Sequence, residues 1–143
     1  MLSVDEYFID TNIFMYAAGK HHEFKEPCVD ILSSIQSGEL KAAIDTEVFQ
    51  EIIYRYHHIN LPDKGADLAW SMMDLGLNVL PVTKKEIEIS LYFYQQYRAK
   101  GVLSRDIIHA ATMVQNGLET IVSVDRHFDI IEEVQRMAPS DLI

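Results

Sequence analysis

Two short apolar runs, one near each end of the chain, both stop at an aspartate. Tyr7-Phe8-Ile9 leads into Asp10, and Thr120-Ile121-Val122-Ser123-Val124 leads into Asp125. Such runs are too short for a buried helix and rich in β-branched and aromatic residues, so they read as strands. Between them, helical periodicity alternates with further short strands, which predicts an α/β domain with a mostly parallel sheet. In an open parallel sheet the ligand crevice lies beyond the carboxyl ends of the strands. The two aspartates therefore stand where such a fold does its chemistry.

The punctuation of the chain supports this reading. A short helix follows the first strand from Asn12 to about Ala17. A second begins near Pro27, carries the stripe Cys28, Ile31, Leu32 and Ile35, and ends at Gly38. Lys41 to Ile44 reads as a strand, after which Asp45 or Thr46 caps a helix to His57 with apolar face Val48, Phe49, Ile52, Ile53 and Tyr56. Pro62 opens a helix bearing Leu68, Trp70 and Met73, and Asn78 to Leu80 is a strand. Thr83 and Glu86 match a capping box for a helix that uses Ile87, Leu91, Tyr94 and Tyr97. Ser104 is placed to cap a helix from Arg105 to Asn116 with Ile107, Ala110, Ala111 and Val114 inside. A helical turn from Phe128 to Ile131 and an edge strand from Val134 to Met137 complete the pattern.

The chain has 143 residues, the size of one ordinary domain, and the whole span 1–143 reads as one. No apolar stretch is long enough for a transmembrane helix, and the N-terminus lacks the basic and apolar regions of a secretory signal. The lone Cys28 has no disulfide or zinc partner and reads as a buried, inert thiol. These features favour a cytoplasmic protein. The net charge of −10 argues against a broad basic face for nucleic acid. It leaves room for an acidic site offset by bound cations.

Four acids, Asp10, Glu51, Asp106 and Asp125, fall at strand ends or in helices that start beside them. Each has a structural reading as well. Asp10 can cap the next helix. Glu51 can form a solvated i,i+4 pair with Arg55, worth ~0.3–0.5 kcal/mol. Asp106 suits the positive end of its helix, a gain of ~0.3–1 kcal/mol. Asp125 is a natural turn former, while Asp129 is expected to face away and cap a short helix. Gathered in one crevice, however, four carboxylates repel one another unless a cation lies between them. All-oxygen ligands suit Mg²⁺ or Mn²⁺ better than zinc. His109, one helical turn after Asp106, is placed either to orient a carboxylate or phosphate or simply to pack in its helix. The adjacent pairs His21-His22 and His57-His58 point apart and make no zinc motif.

Four segments, Phe8-Ile-Asp-Thr-Asn-Ile13, Thr46-Glu-Val-Phe-Gln-Glu51, Ser104-Arg-Asp-Ile-Ile-His-Ala-Ala111 and Ile121-Val-Ser-Val-Asp-Arg-His-Phe128, occur in this order. Together they closely resemble the PIN domain, and within it the VapC-like toxins of prokaryotic toxin–antitoxin pairs, over nearly the whole chain. The resemblance implies a three-layer α/β/α fold on a five-stranded, mostly parallel sheet, and a Mg²⁺- or Mn²⁺-dependent ribonuclease. It places the family's acidic set on Asp10, Glu51, Asp106 and Asp125. The polar helper falls on Asn12, or on Thr11, and the hydroxyl residue on Ser123, where threonine is more usual. It further implies a homodimer and a small DNA-binding antitoxin that can place a basic side chain in the acidic pocket.

On this reading Asp10 and Asp106 hold a metal directly, while Glu51 and Asp125 complete its water shell or hold a second ion. Asn12 and Ser123 steady the carboxylates or a phosphate oxygen. Arg98, Lys100 and Arg105 are the nearest basic stretch for an RNA backbone, or else helix-end charges that suit the macrodipole. The competing classes are a non-catalytic α/β interaction module and an RNA-processing PIN nuclease outside any toxin–antitoxin pair. A phosphorylated receiver would want adjacent acids after the first strand and a late lysine. A dehalogenase-type phosphatase would want an acid where Asn12 stands.

Overall fold

In a computed structural model describing residues 5–142, five strands form one sheet. They are β1 (Glu6–Ile9), β2 (Lys41–Asp45), β3 (Asn78–Leu80), β4 (Thr120–Val122) and β5 (Gln135–Met137), in the order β3-β2-β1-β4-β5. Every pairing is parallel, so the expected sheet is found and is parallel throughout. Among the described residues, seven α-helices flank it: α1 (Thr11–Ala18), α2 (Lys25–Ser37), α3 (Thr46–His58), α4 (Pro62–Met73), α5 (Lys84–Tyr97), α6 (Ser104–Gln115) and α7 (Pro139–Leu142). No helix among those residues is long and apolar enough to cross a membrane.

A parallel sheet covered on both faces demands strands that are apolar on both. Phe8, Ile9, Ala43, Ile44, Ile121 and Val122 meet that demand and are fully buried. The order of the strands reverses at β1: β2 and β3 lie to one side, β4 and β5 to the other. This is a topological switch point, where the loops after adjacent strands diverge and leave a crevice. The Asp10 N–H donates to the Val122 carbonyl at 3.0 Å, so the end of β1 is tied directly to the end of β4.

Several helices sit in a different rotation from the one their apolar pattern predicts. α3 buries Val48, Glu51, Ile52 and Tyr56 and leaves Ile53 55% exposed. Its buried stripe is turned toward Glu51, so that side chain is not the solvated partner of a surface pair. α5 buries Glu86, Ser90, Phe93 and Tyr97, whereas Ile87, Leu91 and Tyr94 are exposed. The Thr83–Glu86 capping box is present; the Thr83 N–H and Oγ1 both donate to Glu86 Oε1 and draw that turn inward. In α6, Val114 is exposed, and in α4 both Trp70 and Met73 face solvent. Gly65 explains how closely α4 approaches α3: a Cβ there would lie 2.5 Å from Tyr56 Cβ.

Some boundaries also differ. β4 stops at Val122, although the Ser123 N–H still donates to the Met137 carbonyl at 3.1 Å. α6 starts at Ser104, so Leu103 occupies the cap position without a side-chain bond and Ser104 does not cap. The turn after β4 is a 3-10 segment, Arg126–Ile130, capped by Asp125. Asp129 does not cap it but pairs with Arg136 at 2.9 Å. Cys28 is buried as expected, and burial pushes its thiol up to about 11.

Candidate metal centre

Asp10, Asn12, Glu51, Asp106 and Asp125 line a single cleft of about 580 Å³ at the switch point. Ser123 lies fully buried beneath it. The cleft thus joins Asp10, just after β1, with residues of α1, α3, α6 and the turn after β4, and other elements separate the last four from one another along the chain. Arg105 lines the cleft, as does Arg55. Arg98 and Lys100 do not; they form a 3-10 turn in which the Lys100 ammonium lies over the Tyr97 ring at 5.7 Å.

Asp10 is both a helix cap and part of the site. Its Oδ1 accepts the Thr11 N–H at 2.8 Å. Its Oδ2 accepts the Ser123 hydroxyl at 2.6 Å and the Asn12 amide at 3.1 Å. The same hydroxyl accepts from Asn12 Nδ2 at 3.2 Å and from the Asp125 N–H at 2.9 Å. Ser123 therefore couples the two strand ends, and Thr11 contributes elsewhere: its hydroxyl donates to Glu51 Oε1 at 3.1 Å. Asp125 accepts the His127 N–H at 2.9 Å, as a turn-forming aspartate should, and lies 2.8 Å from His127 Nδ1.

The candidate ligand atoms fall in two groups. One oxygen each from Asp10 and Glu51 and a ring nitrogen of His109 lie within 4.8 Å of one another, and so do atoms of Asp106, Asp125 and His127. Burial first, then the charges of Asp125 and Asp10, push the Asp106 carboxyl up to about 7. Burial also raises Asp10, against the opposing pull of His109 and Ser123. Burial raises Glu51 too, but His109, Thr11 and Arg105 outweigh it and hold that carboxyl below its ordinary value. Arg55 and Arg105 stand 3.5 and 3.8 Å from Glu51 Oε2.

Two acceptor atoms in the cleft, Asp106 Oδ2 and Asn12 Oδ1, are buried without a hydrogen-bond partner. Buried acceptors of this kind call for a donor or a cation. Orphaned oxygens beside three aspartates are a donor set that fits a hard divalent ion, with imidazole nitrogens at the margins.

Asp45 caps α3, one of the two caps that the sequence offered, but its buried bond to His109 was missed by sequence reasoning. It is fully buried, caps α3 through the Val48 N–H at 3.1 Å, and holds His109 Nδ1 at 2.7 Å. A signal existed: the run from Ala42 to Ile44 closes on an aspartate just as β1 does. His109 itself is 1% exposed, and although burial disfavours its charge, Asp45, Glu51 and Asp10 raise its pKa well above the ordinary value.

Comparisons with known proteins identify the family and the fold. The family model of the PIN domain matches residues 7–134. Ribonuclease VapC13 of Mycobacterium tuberculosis is 29% identical over 130 residues, 91% of this chain and 98% of the relative. Ribonuclease VapC23 of the same organism is 25% identical over 82% of this chain and 91% of its own. Among solved structures, VapC20 of M. tuberculosis, described as a sarcin-ricin-loop-cleaving toxin, superposes with a TM-score of 0.73 at 13% identity, over 88% of this chain and 95% of that one. A chain of the DNA-bound VapBC2 complex of Rickettsia felis gives 0.71 at 18% identity, over 93% and 98%. The fold and the match along the sequence agree: this chain belongs to the PIN domain family and is similar to its VapC ribonucleases.

Proposed function

We propose that the protein is a Mg²⁺- or Mn²⁺-dependent endoribonuclease, the toxin of a prokaryotic toxin–antitoxin pair. The observation that carries the metal is Asp106: buried between Asp10 and Asp125, with one oxygen unpartnered and its pKa lifted to about 7. Asp10, Asp106 and Asp125 would hold the ion, with Glu51 at the edge of its shell. Bound there, a divalent ion supplies acidified water and positive charge for phosphodiester hydrolysis. Ser123 and Asn12 keep Asp10 aimed into the cleft through the bonds described above. Arg105 and Arg55 sit on the cleft wall, where they can leave Glu51 for a phosphate oxygen of RNA. In a chain of net charge −10, these two side chains supply a local positive edge that the whole surface lacks.

Two exposed apolar surfaces support the proposed partners. Exposed apolar side chains on α4 and the turn before it, Ile59, Leu61, Trp70 and Met73, support a protein partner such as a small antitoxin. A basic side chain from it would complement the acidic cleft. The exposed Ile87, Leu91 and Tyr94 of α5, beside Ile107 and Ile108 of α6, form an apolar groove that supports a homodimer. We place the activity in the cytoplasm, with the RNA.

Cleavage of RNA with Mg²⁺ or Mn²⁺, with chelator, and by Asp10→Asn and Asp106→Asn variants tests the reading. Cleavage should need the metal and be lost in both variants. Unchanged, metal-independent cleavage would reject it. A chain that binds neither ion would instead be a non-catalytic PIN-like module. An RNA-processing role outside a toxin–antitoxin pair would keep the chemistry and lack the antitoxin.

A further inference from the structure

The cleft chemistry leaves one buried charged assembly unused. Asp45 and His109 are 0% and 1% exposed and joined at 2.7 Å, yet neither lines the main cleft. Burying such a pair is costly compared with apolar side chains of similar volume. A histidine that merely packs needs one partner, and Asp45 provides it. The second nitrogen, Nε2, is also buried, has no hydrogen-bond partner, and stands 3.5 Å from Glu51 Oε1. The Phe8 ring lies against the imidazole with centroids 5.4 Å apart and helps to fix its plane. Thr11 holds the same Glu51 oxygen from the other direction. Asp45 also caps α3, the helix that carries Glu51, so one carboxylate fixes both the start of the helix and the group that steers its functional side chain.

We propose that Asp45 and His109 are positioning residues: a buried chain that holds Glu51 Oε1 in place beside Asp10 and thereby sets how tightly the cleft takes a divalent cation. The inference rests on the metal-binding reading above. Outer partners that orient the groups around a metal characteristically cost 10–100-fold in affinity or activity when removed. Glu51 needs such support because its other oxygen faces two partly exposed arginine side chains, at 3.5 and 3.8 Å, whose charge draws it toward the cleft wall.

The test is calorimetric titration of the whole chain with Mn²⁺, alongside melting of each variant. The side-chain amide nitrogen of asparagine overlays imidazole Nδ1, and that of glutamine overlays Nε2. His109→Gln restores a donor to Glu51 and His109→Asn does not. The expected result is Mn²⁺ affinity about tenfold weaker in His109→Asn and within about threefold of the original in His109→Gln. Asp45→Asn keeps the α3 cap and should weaken Mn²⁺ by an intermediate factor, which keeps the idea testable if His109→Asn does not fold. The proposal is overturned if His109→Asn and His109→Gln bind Mn²⁺ equally well. It is also overturned if both lose binding as completely as Asp106→Asn, since the imidazole would then be a direct ligand. Failure of the underlying reading looks different: the unaltered chain itself would bind no Mn²⁺.

Discussion

The two groups of ligand atoms in the cleft differ in how their charge is balanced. Around Glu51, the protein supplies its own cations: Arg55, Arg105 and a buried imidazole that Asp45 holds in place. The carboxyl there is kept below its ordinary value. Around Asp106, the protein supplies mainly more negative charge, from Asp125 and Asp10, and the carboxyl is pushed up to about 7. His127 pairs with Asp125 but is half exposed. The difference teaches that an acidic cluster is not uniformly short of cations. The shortage is local, and it marks where an external ion is worth most.

The largest expected effect breaks the comparison at its deficient side. Asp106→Asn should lower RNA cleavage by at least about 100-fold. The same variant should melt higher than the original above pH 7 without metal, because it removes a buried, uncompensated charge. Cleavage rates and melting curves on one preparation check both. Loss of activity with lower metal-free stability would show Asp106 to be a structural acid.

The second prediction uses pH. Between about 4 and 7 the folded chain holds a proton on Asp106 that the unfolded chain has released. Stability of the metal-free protein should therefore fall as pH rises through that window. Asp10 is shifted in the same direction and adds to the fall. Glu51 acts oppositely, losing stability as pH drops through its own depressed range, so the measurement belongs at pH 5 to 7.5. His109, raised above its ordinary 6.5, contributes stability that begins to be lost as pH passes 6.5, so it adds to the fall in the upper part of that range. Denaturant unfolding with and without Mn²⁺ reads the effect. A decline that saturating Mn²⁺ does not reduce would contradict it.

At the compensated side the sign reverses. Glu51→Gln should destabilise the metal-free protein by about 2 kcal/mol, since it leaves His109 and two arginines without their carboxylate. A rise in stability would place Glu51 with Asp106 and erase the distinction. Ser123→Ala should cost about 1–2 kcal/mol by removing the hydroxyl between Asp10, Asn12 and the Asp125 N–H. It should weaken Mn²⁺ binding less than Asp106→Asn does. The smallest effect is a control outside both groups: Asp129→Asn, whose half-exposed carboxylate pairs with Arg136, should change stability by less than about 1 kcal/mol and leave metal binding unaltered.

Local chemistry made much of the fold legible before any coordinates. The aspartates that end β1 and follow β4, the Thr83–Glu86 capping box and the glycine after α2 act within a few residues, so their neighbours in sequence are their neighbours in space. Gly38, at φ +84, closes α2 as its position suggests. The rotation of helices was less legible. Turning α3 by about 60°, less than one residue's ~100° step, exchanges Ile53 for Glu51 on its buried side, and the apolar pattern alone favoured Ile53. α5 misled in the same way, because Ile87, Leu91 and Tyr94 make a convincing stripe that this chain leaves uncovered.

What the sequence determined by itself was the succession of strands and helices and the presence of acids at their junctions, because propensity, capping and alternation are short-range. Only the tertiary structure decided that residues 45 and 109, separated by 64 positions, share a buried hydrogen bond, and that Asp10 and Ser123 meet across 113. The reason is physical. Strand order and helix rotation are chosen by non-local packing, and the electrostatics of a buried carboxylate depends on every charge that packing brings to it.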